Sequence, residues 1–134
     1  TIVAAADGSA LGNPGPTGWA WFVDEGCWRA GGFAHGTNNI GELSAVLDLL
    51  QQTAATDEAL HIICDSTYVI NTITKWMAGW KRKGWRKGDG KPVLNLEIIK
   101  ALDEASFAFL GTALSGVPSQ RARWKRAVTL VESA

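Results

Sequence analysis

The chain has 134 residues, 46% of them hydrophobic and 19% charged, with formal net charge zero. That composition supports one packed domain over residues 1–134, leaves little length for a second, and is not that of a disordered chain. No apolar run approaches a membrane span, and no basic stretch leading into an apolar core marks a secretory signal, so neither a membrane nor an export route is expected.

Residues 2–6 read as a buried strand that runs through three alanines and closes on Asp7. "GNPGPTG" (12–18) is a turn-rich loop. Residues 19–25 and 27–34 read as strands joined by a tight turn at Glu25-Gly26, which predicts an antiparallel meander. The period then changes: Ile40, Leu43, Val46, Leu47 and Leu50 recur at helical spacing. "ALHIIC" (59–64) is a strand ended by Asp65-Ser66, from which "STYVINTITKW" continues as a helix. "KRKGWRKGDGKP" (81–92) is a polar loop, and Leu94, Ile98 and Leu102 fall in step along a further helix. "SFAFLG" (106–111) reads as a last strand and residues 119–133 as a last helix. The order predicts one α/β domain with a mixed five-stranded sheet flanked by helices. Cys27 and Cys64 are too few and too separated for a disulfide framework or zinc site, so reduced core cysteines in a cytoplasmic protein are expected.

Three acids stand out by position. Asp7 closes the first strand, Glu42 lies in the first turn of the first helix, and Asp65 ends the fourth strand. A sheet can bring strand ends together, and carboxylates gathered there repel one another unless a cation is present. The fitting cation is a hard one, Mg²⁺ or Mn²⁺. Sites of this kind hold two ions and serve phosphodiester chemistry. Each acid also has an ordinary alternative. Asn39 and Glu42 match a capping box, Asp65 can cap the following helix, and Asp7 can open a turn at "DGS".

The charge balance hides a segregation. Lys75, Lys81, Arg82, Lys83, Arg86, Lys87 and Lys91 cluster with Asp89 alone among them, and Arg121, Arg123, Lys125 and Arg126 follow later. This predicts a basic surface patch.

"DGSALGNPGPTGWAWFV", "GTNNIGEL", "CDSTYVINTITKWMAGWKRKGWRK" and "KPVLNLEIIKALDEA" occur in that order over residues 3–105. Together they resemble the type I ribonuclease H family. The resemblance implies a ribonuclease H-like fold and a metal-dependent endonuclease that cuts the RNA strand of an RNA–DNA hybrid, with two ions of Mg²⁺ or Mn²⁺ for full activity. It places Asp7, Glu42 and Asp65 among the catalytic, metal-binding acids. Gly8, Ser9, Asn13, Asn38 and Asn39 match positions along the RNA strand, where 2′-hydroxyls distinguish RNA from DNA. Lys81, Arg82, Lys83, Arg86 and Lys87 match a basic protrusion suited to phosphates. Trp85, beside a glycine, is the candidate for contact with the DNA strand, whereas Trp76 and Trp80 share a helical face and are expected to pack inward. A monomer is expected.

After Ala105 the resemblance breaks. Ala113 or Leu114 stands where the family has a histidine, and Arg121, Arg123 and Trp124 stand where it has acids. Glu132, the only acid after Glu104, would sit about two turns, roughly 12 Å, beyond the fourth ligand's place on a helix. The expected activity is therefore reduced hybrid cleavage. The alternatives are a hybrid-binding module of the same fold without catalysis, and a structural or protein-interaction domain.

Overall fold

Small alternating side chains build the first strand of the computed structural model, which describes residues 1–54, 56, 58–105, 108–109 and 127–132. In β1 (Ile2–Ala10), Ala4 and Ala6 turn into the core while Val3, Ala5 and Asp7 face outward. β1 is longer than the expected 2–6, because its outer half pairs antiparallel with β2 (Gly15–Asp24) from Ala5↔Phe22 to Ala10↔Thr17. Asp7 therefore lies within a strand, opposite Ala20. The turn between the strands is shorter than "GNPGPTG", closed by the Leu11 N–H donating to the Pro16 carbonyl at 2.8 Å. β3 (Cys27–Gly36) completes the expected meander.

Helix α1 (Asn38–Gln52) lays Leu43, Val46, Leu49 and Leu50 against the sheet, all of them buried. Truncating one such leucine to alanine costs about 2–5 kcal/mol. On the opposite edge of this contact, Trp21 Nε1 and Arg29 Nε both donate to Asp48 Oδ2, at 2.8 and 2.9 Å, and tie α1 to β2 and β3. β4 (Leu60–Cys64) then pairs parallel to β1.

α2 (Thr67–Asn71) passes through a π-helical turn, Thr72–Trp76, into α3 (Met77–Arg82). After the basic loop comes α4 (Leu96–Glu104), with Ile99 and Leu102 buried. The expected Leu94 stripe is shifted: Leu94 is exposed and Val93 is buried in its place, because the helix begins only after Asn95.

β5 (Ala108–Phe109) and β6 (Ala127–Glu132) extend the sheet, whose order is β3-β2-β1-β4-β6-β5. The mixed sheet flanked by helices is as expected, and among the described residues it holds six strands where five were expected. The extra strand is β6, within the expected helix 119–133. Val128, Thr129 and Val131 favour a pleated strand, and the open edge of β4 supplies backbone partners for it. The remainder of that expected helix and most of "SFAFLG" lie outside the described residues.

Candidate active site

The parallel register of β1 and β4 assembles the acids. Ala5 pairs with Ile63, so Asp7 and Asp65 both stand two residues further along, side by side where β4 ends. Glu42 comes from α1, which must approach β1 closely to reach them. Two glycines permit this. A Cβ on Gly8 would lie 2.5 Å from the Glu42 nitrogen, and one on Gly41 would lie 3.3 Å from the Ser9 nitrogen. The result is one oxygen from each of Asp7, Glu42 and Asp65 within 4.8 Å of the others.

Neighbouring hydroxyls take the capping duties that the sequence alone left open. Thr37, not Asn39, caps α1, its Oγ1 accepting from the Ile40 N–H at 3.2 Å. Glu42 is thus the fifth residue of the helix and outside any capping box. Ser66, not Asp65, caps α2, accepting from the Val69 N–H at 3.2 Å. Both carboxylates are left to face Asp7.

The crowding has an electrostatic signature. Glu42 is half-buried while Asp7 and Asp65 are exposed. Its pKa is pushed up to about 8, first by burial, then by a hydrogen bond with Asp7 and by the charges of Asp7 and Asp65. The Gly8 N–H opposes the rise. Three hard oxygen donors that hold a proton near neutral pH are a donor set suited to a divalent cation, which would replace that proton.

The residues matched to the RNA strand gather beside this cluster. Ser9 is exposed at the end of β1. Asn38 Oδ1 accepts from the Ala10 N–H at 2.6 Å, and Asn13 Oδ1 accepts from the Asn38 N–H at 2.9 Å. Asn13 and Asn38 therefore spend acceptors latching the β1–β2 turn to α1, whereas Asn39 is exposed on the first turn.

The basic loop is more selective than its composition. Lys81 Nζ is paired with Asp103 Oδ2 on α4 at 2.9 Å, and Arg86 Nη1 donates to the Gly90 carbonyl at 3.1 Å. Arg82 and Lys83 are exposed, while Lys87 is half-buried. Trp85, expected to contact the DNA strand, is half-buried: part of it packs against the core, with the Lys100 ammonium 5.8 Å from its ring centre. Trp76, expected to pack inward, is 41% exposed and edges Tyr68 at 6.3 Å between ring centres. Tyr68 Oη in turn accepts from Asn95 Nδ2 at 3.0 Å. Asparagine's tolerance of the left-handed conformation, adopted here at φ 58°, is the one sequence signal for that junction.

β6 alters the position expected of Glu132. In register it stands opposite Cys64, one residue before Asp65, rather than turns away along a helix.

A mixed sheet carrying three clustered carboxylates on β1, α1 and the end of β4 defines a protein of the RNase H-like class. Solved structures agree on the fold. LC11-RNase H1 in complex with RNA/DNA hybrid superposes with a TM-score of 0.64 at 19% identity, covering 99% of this chain and 85% of that one. RNase H1 from the archaeon Halobacterium salinarum NRC-1 gives 0.59 at 17% identity, covering 98% and 84%. The RNase H family model matches residues 1–108, and the chain belongs to that family. Ribonuclease H of Tropheryma whipplei (strain Twist) is 59% identical over 102 residues, covering 76% of this chain and 63% of that protein. Ribonuclease HI of Streptomyces coelicolor is 46% identical over 107 residues, covering 76% and 46%. The chain thus spans less than two thirds of the length of these relatives.

Proposed function

We propose that this chain, as a single RNase H-like domain, is an endonuclease that hydrolyses the RNA strand of RNA–DNA hybrids with a divalent metal, Mg²⁺ or Mn²⁺. The observation that carries the reading is the convergence of Asp7, Glu42 and Asp65 within 4.8 Å from three separate elements, with their capping alternatives filled by Thr37 and Ser66. The relatives named Ribonuclease H and the hybrid-bound LC11 structure support it.

The three carboxylates would hold two ions, which supply charge neutralisation at the scissile phosphate and an acidified water. Glu42 gives up its proton on loading, so metal affinity rises with pH toward about 8. Ser9 and Asn39 lie where they can meet 2′-hydroxyls, and Arg82 and Lys83 offer free cations to phosphates. Water adds at phosphorus in line with the leaving ribose oxygen, and the products carry 3′-hydroxyl and 5′-phosphate ends.

The test is cleavage of a hybrid labelled on each strand in turn, with Mg²⁺, Mn²⁺ or EDTA, against an Asp7→Asn control. Metal-dependent cutting of the RNA strand alone is expected. No cutting above the control overturns the enzyme reading. A second reading, a hybrid-binding module, is favoured by the end of the family match at residue 108. It predicts tight, salt-dependent binding without cleavage.

A further inference from the structure

The helical run from Tyr68 to Trp80 repeats every four residues. Val69, Ile73 and Met77 are buried on one stripe. Tyr68, Trp76 and Trp80 line another, with ring contacts at 6.3 and 5.8 Å. A pure α-helix does not sustain that repeat. At about 100° per residue, each step of four overshoots a turn by about 40°, and the three steps from Tyr68 to Trp80 drift by about 120°. The π-helical turn at Thr72–Trp76, closed by the Met77 N–H donating to the Thr72 carbonyl, holds one extra residue and takes back about 100°. Only about 20° of drift remains, so both stripes stay aligned.

The far end of the run is fixed independently. Lys81 pairs with Asp103, and the Trp85 N–H donates to the Trp80 carbonyl at 2.7 Å. The turn carries a local cost: Thr72 is fully buried and its Oγ1 has no hydrogen-bond partner. Packing alone would be served as well by valine, so the feature that matters is the added residue rather than the hydroxyl.

We propose that the π-helical turn at Thr72–Trp76 is a positioning element that sets the rotation of α3, and with it the direction in which Arg82 and Lys83 meet the hybrid bound at the acid cluster. The inference rests on the hybrid-cleaving reading above. In the full chain, deletion of Thr74 removes the extra residue. Insertion of an alanine between Ala78 and Gly79 leaves the turn but rotates the loop by a similar angle. In each, hybrid affinity at 100 mM salt falls about tenfold, and the slope of log K against log salt shrinks by about 0.9 for each phosphate no longer reached. Mn²⁺ binding at the three acids, read by titration, stays at the parent value.

Combining the deletion with the insertion restores the residue count and is expected to regain both affinity and slope. That variant also decides the matter if either single change fails to fold. Thr72→Val is expected to leave affinity unchanged. Parent-like affinity and slope in a folded single variant overturns the proposal. So does failure of the combined variant to recover, or loss of affinity in Thr72→Val. If the unaltered chain binds no hybrid, the functional reading fails instead. The positioning claim is then read from whether the Lys81–Asp103 pair is lost in the deletion and regained in the combined variant.

Discussion

Glu42→Gln should stabilise the metal-free protein, and should do so only above mildly acidic pH. The structure pushes the Glu42 carboxyl from 4.5 to about 8. Below about pH 4.5 the group is protonated in both folded and unfolded chains, so crowding adds no cost. Between 4.5 and about 8 the unfolded chain releases the proton and the folded chain retains it, so stability falls as pH rises. Above about 8 the folded protein carries the charge and the full cost. Taken at face value the rise corresponds to roughly 5 kcal/mol. Glu42 is only half-buried, however, and water screens it, which brings the figure to about 2 kcal/mol. For a chain of this length that is about 7 °C in Tm. Thermal and urea unfolding of parent and Glu42→Gln in EDTA, from pH 4 to 9, reads it directly. The curves should meet near pH 4.5 and separate up to pH 8–9, with the variant the more stable. Mg²⁺ should then raise the parent and leave the variant little changed. Parallel curves across the whole range would refute the crowded-carboxylate reasoning, whatever the activity of the variant.

Asp65→Asn should abolish hybrid cleavage while hybrid binding in 50 mM salt stays within about threefold of the parent, since phosphate contacts supply most of the affinity; loss of folding would instead assign that acid a structural role. Replacing Arg82 and Lys83 with alanine should flatten the salt dependence of binding by up to about 2 in slope, and an unchanged slope would remove the loop from the binding surface. Lys81→Ala, by contrast, loses a solvent-exposed pair with Asp103 and should lower stability by under about 1 kcal/mol in a denaturant titration. Gly8→Ala should destabilise by at least about 1–3 kcal/mol and weaken Mn²⁺ binding together, because its Cβ must push α1 and Glu42 away from β1; a variant with parent stability would show that the approach is not tight.

Local chemistry determined what a reader of the sequence can extract. An aspartate after three alanines, a helical repeat from Ile40 to Leu50, a strand closing on Asp65 and a cluster of cations around Trp85 are all short-range patterns. They were enough to nominate the three acids and the basic loop, because apolar periodicity and charge clustering act within a few residues. Where two local outcomes competed, the sequence left the choice open. Asn39 and Asp65 are good caps on paper, and only the path of the chain assigns the task to the hydroxyls of Thr37 and Ser66 instead. Residues 127–132, inside the stretch 119–133 expected to be a helix, form a strand because β4 offers an edge.

Tertiary structure alone decided the rest. Register between β1 and β4, distant in sequence, brings Asp7 level with Asp65, and the Gly8–Gly41 contact lets Glu42 join them. Asp103, on a different helix, pairs with Lys81, and packing across space leaves Trp76 exposed while Trp80 and Trp85 lie partly against the core. These depend on pairing and packing across space, where the energy of a side chain is set by neighbours that its own stretch of sequence does not contain.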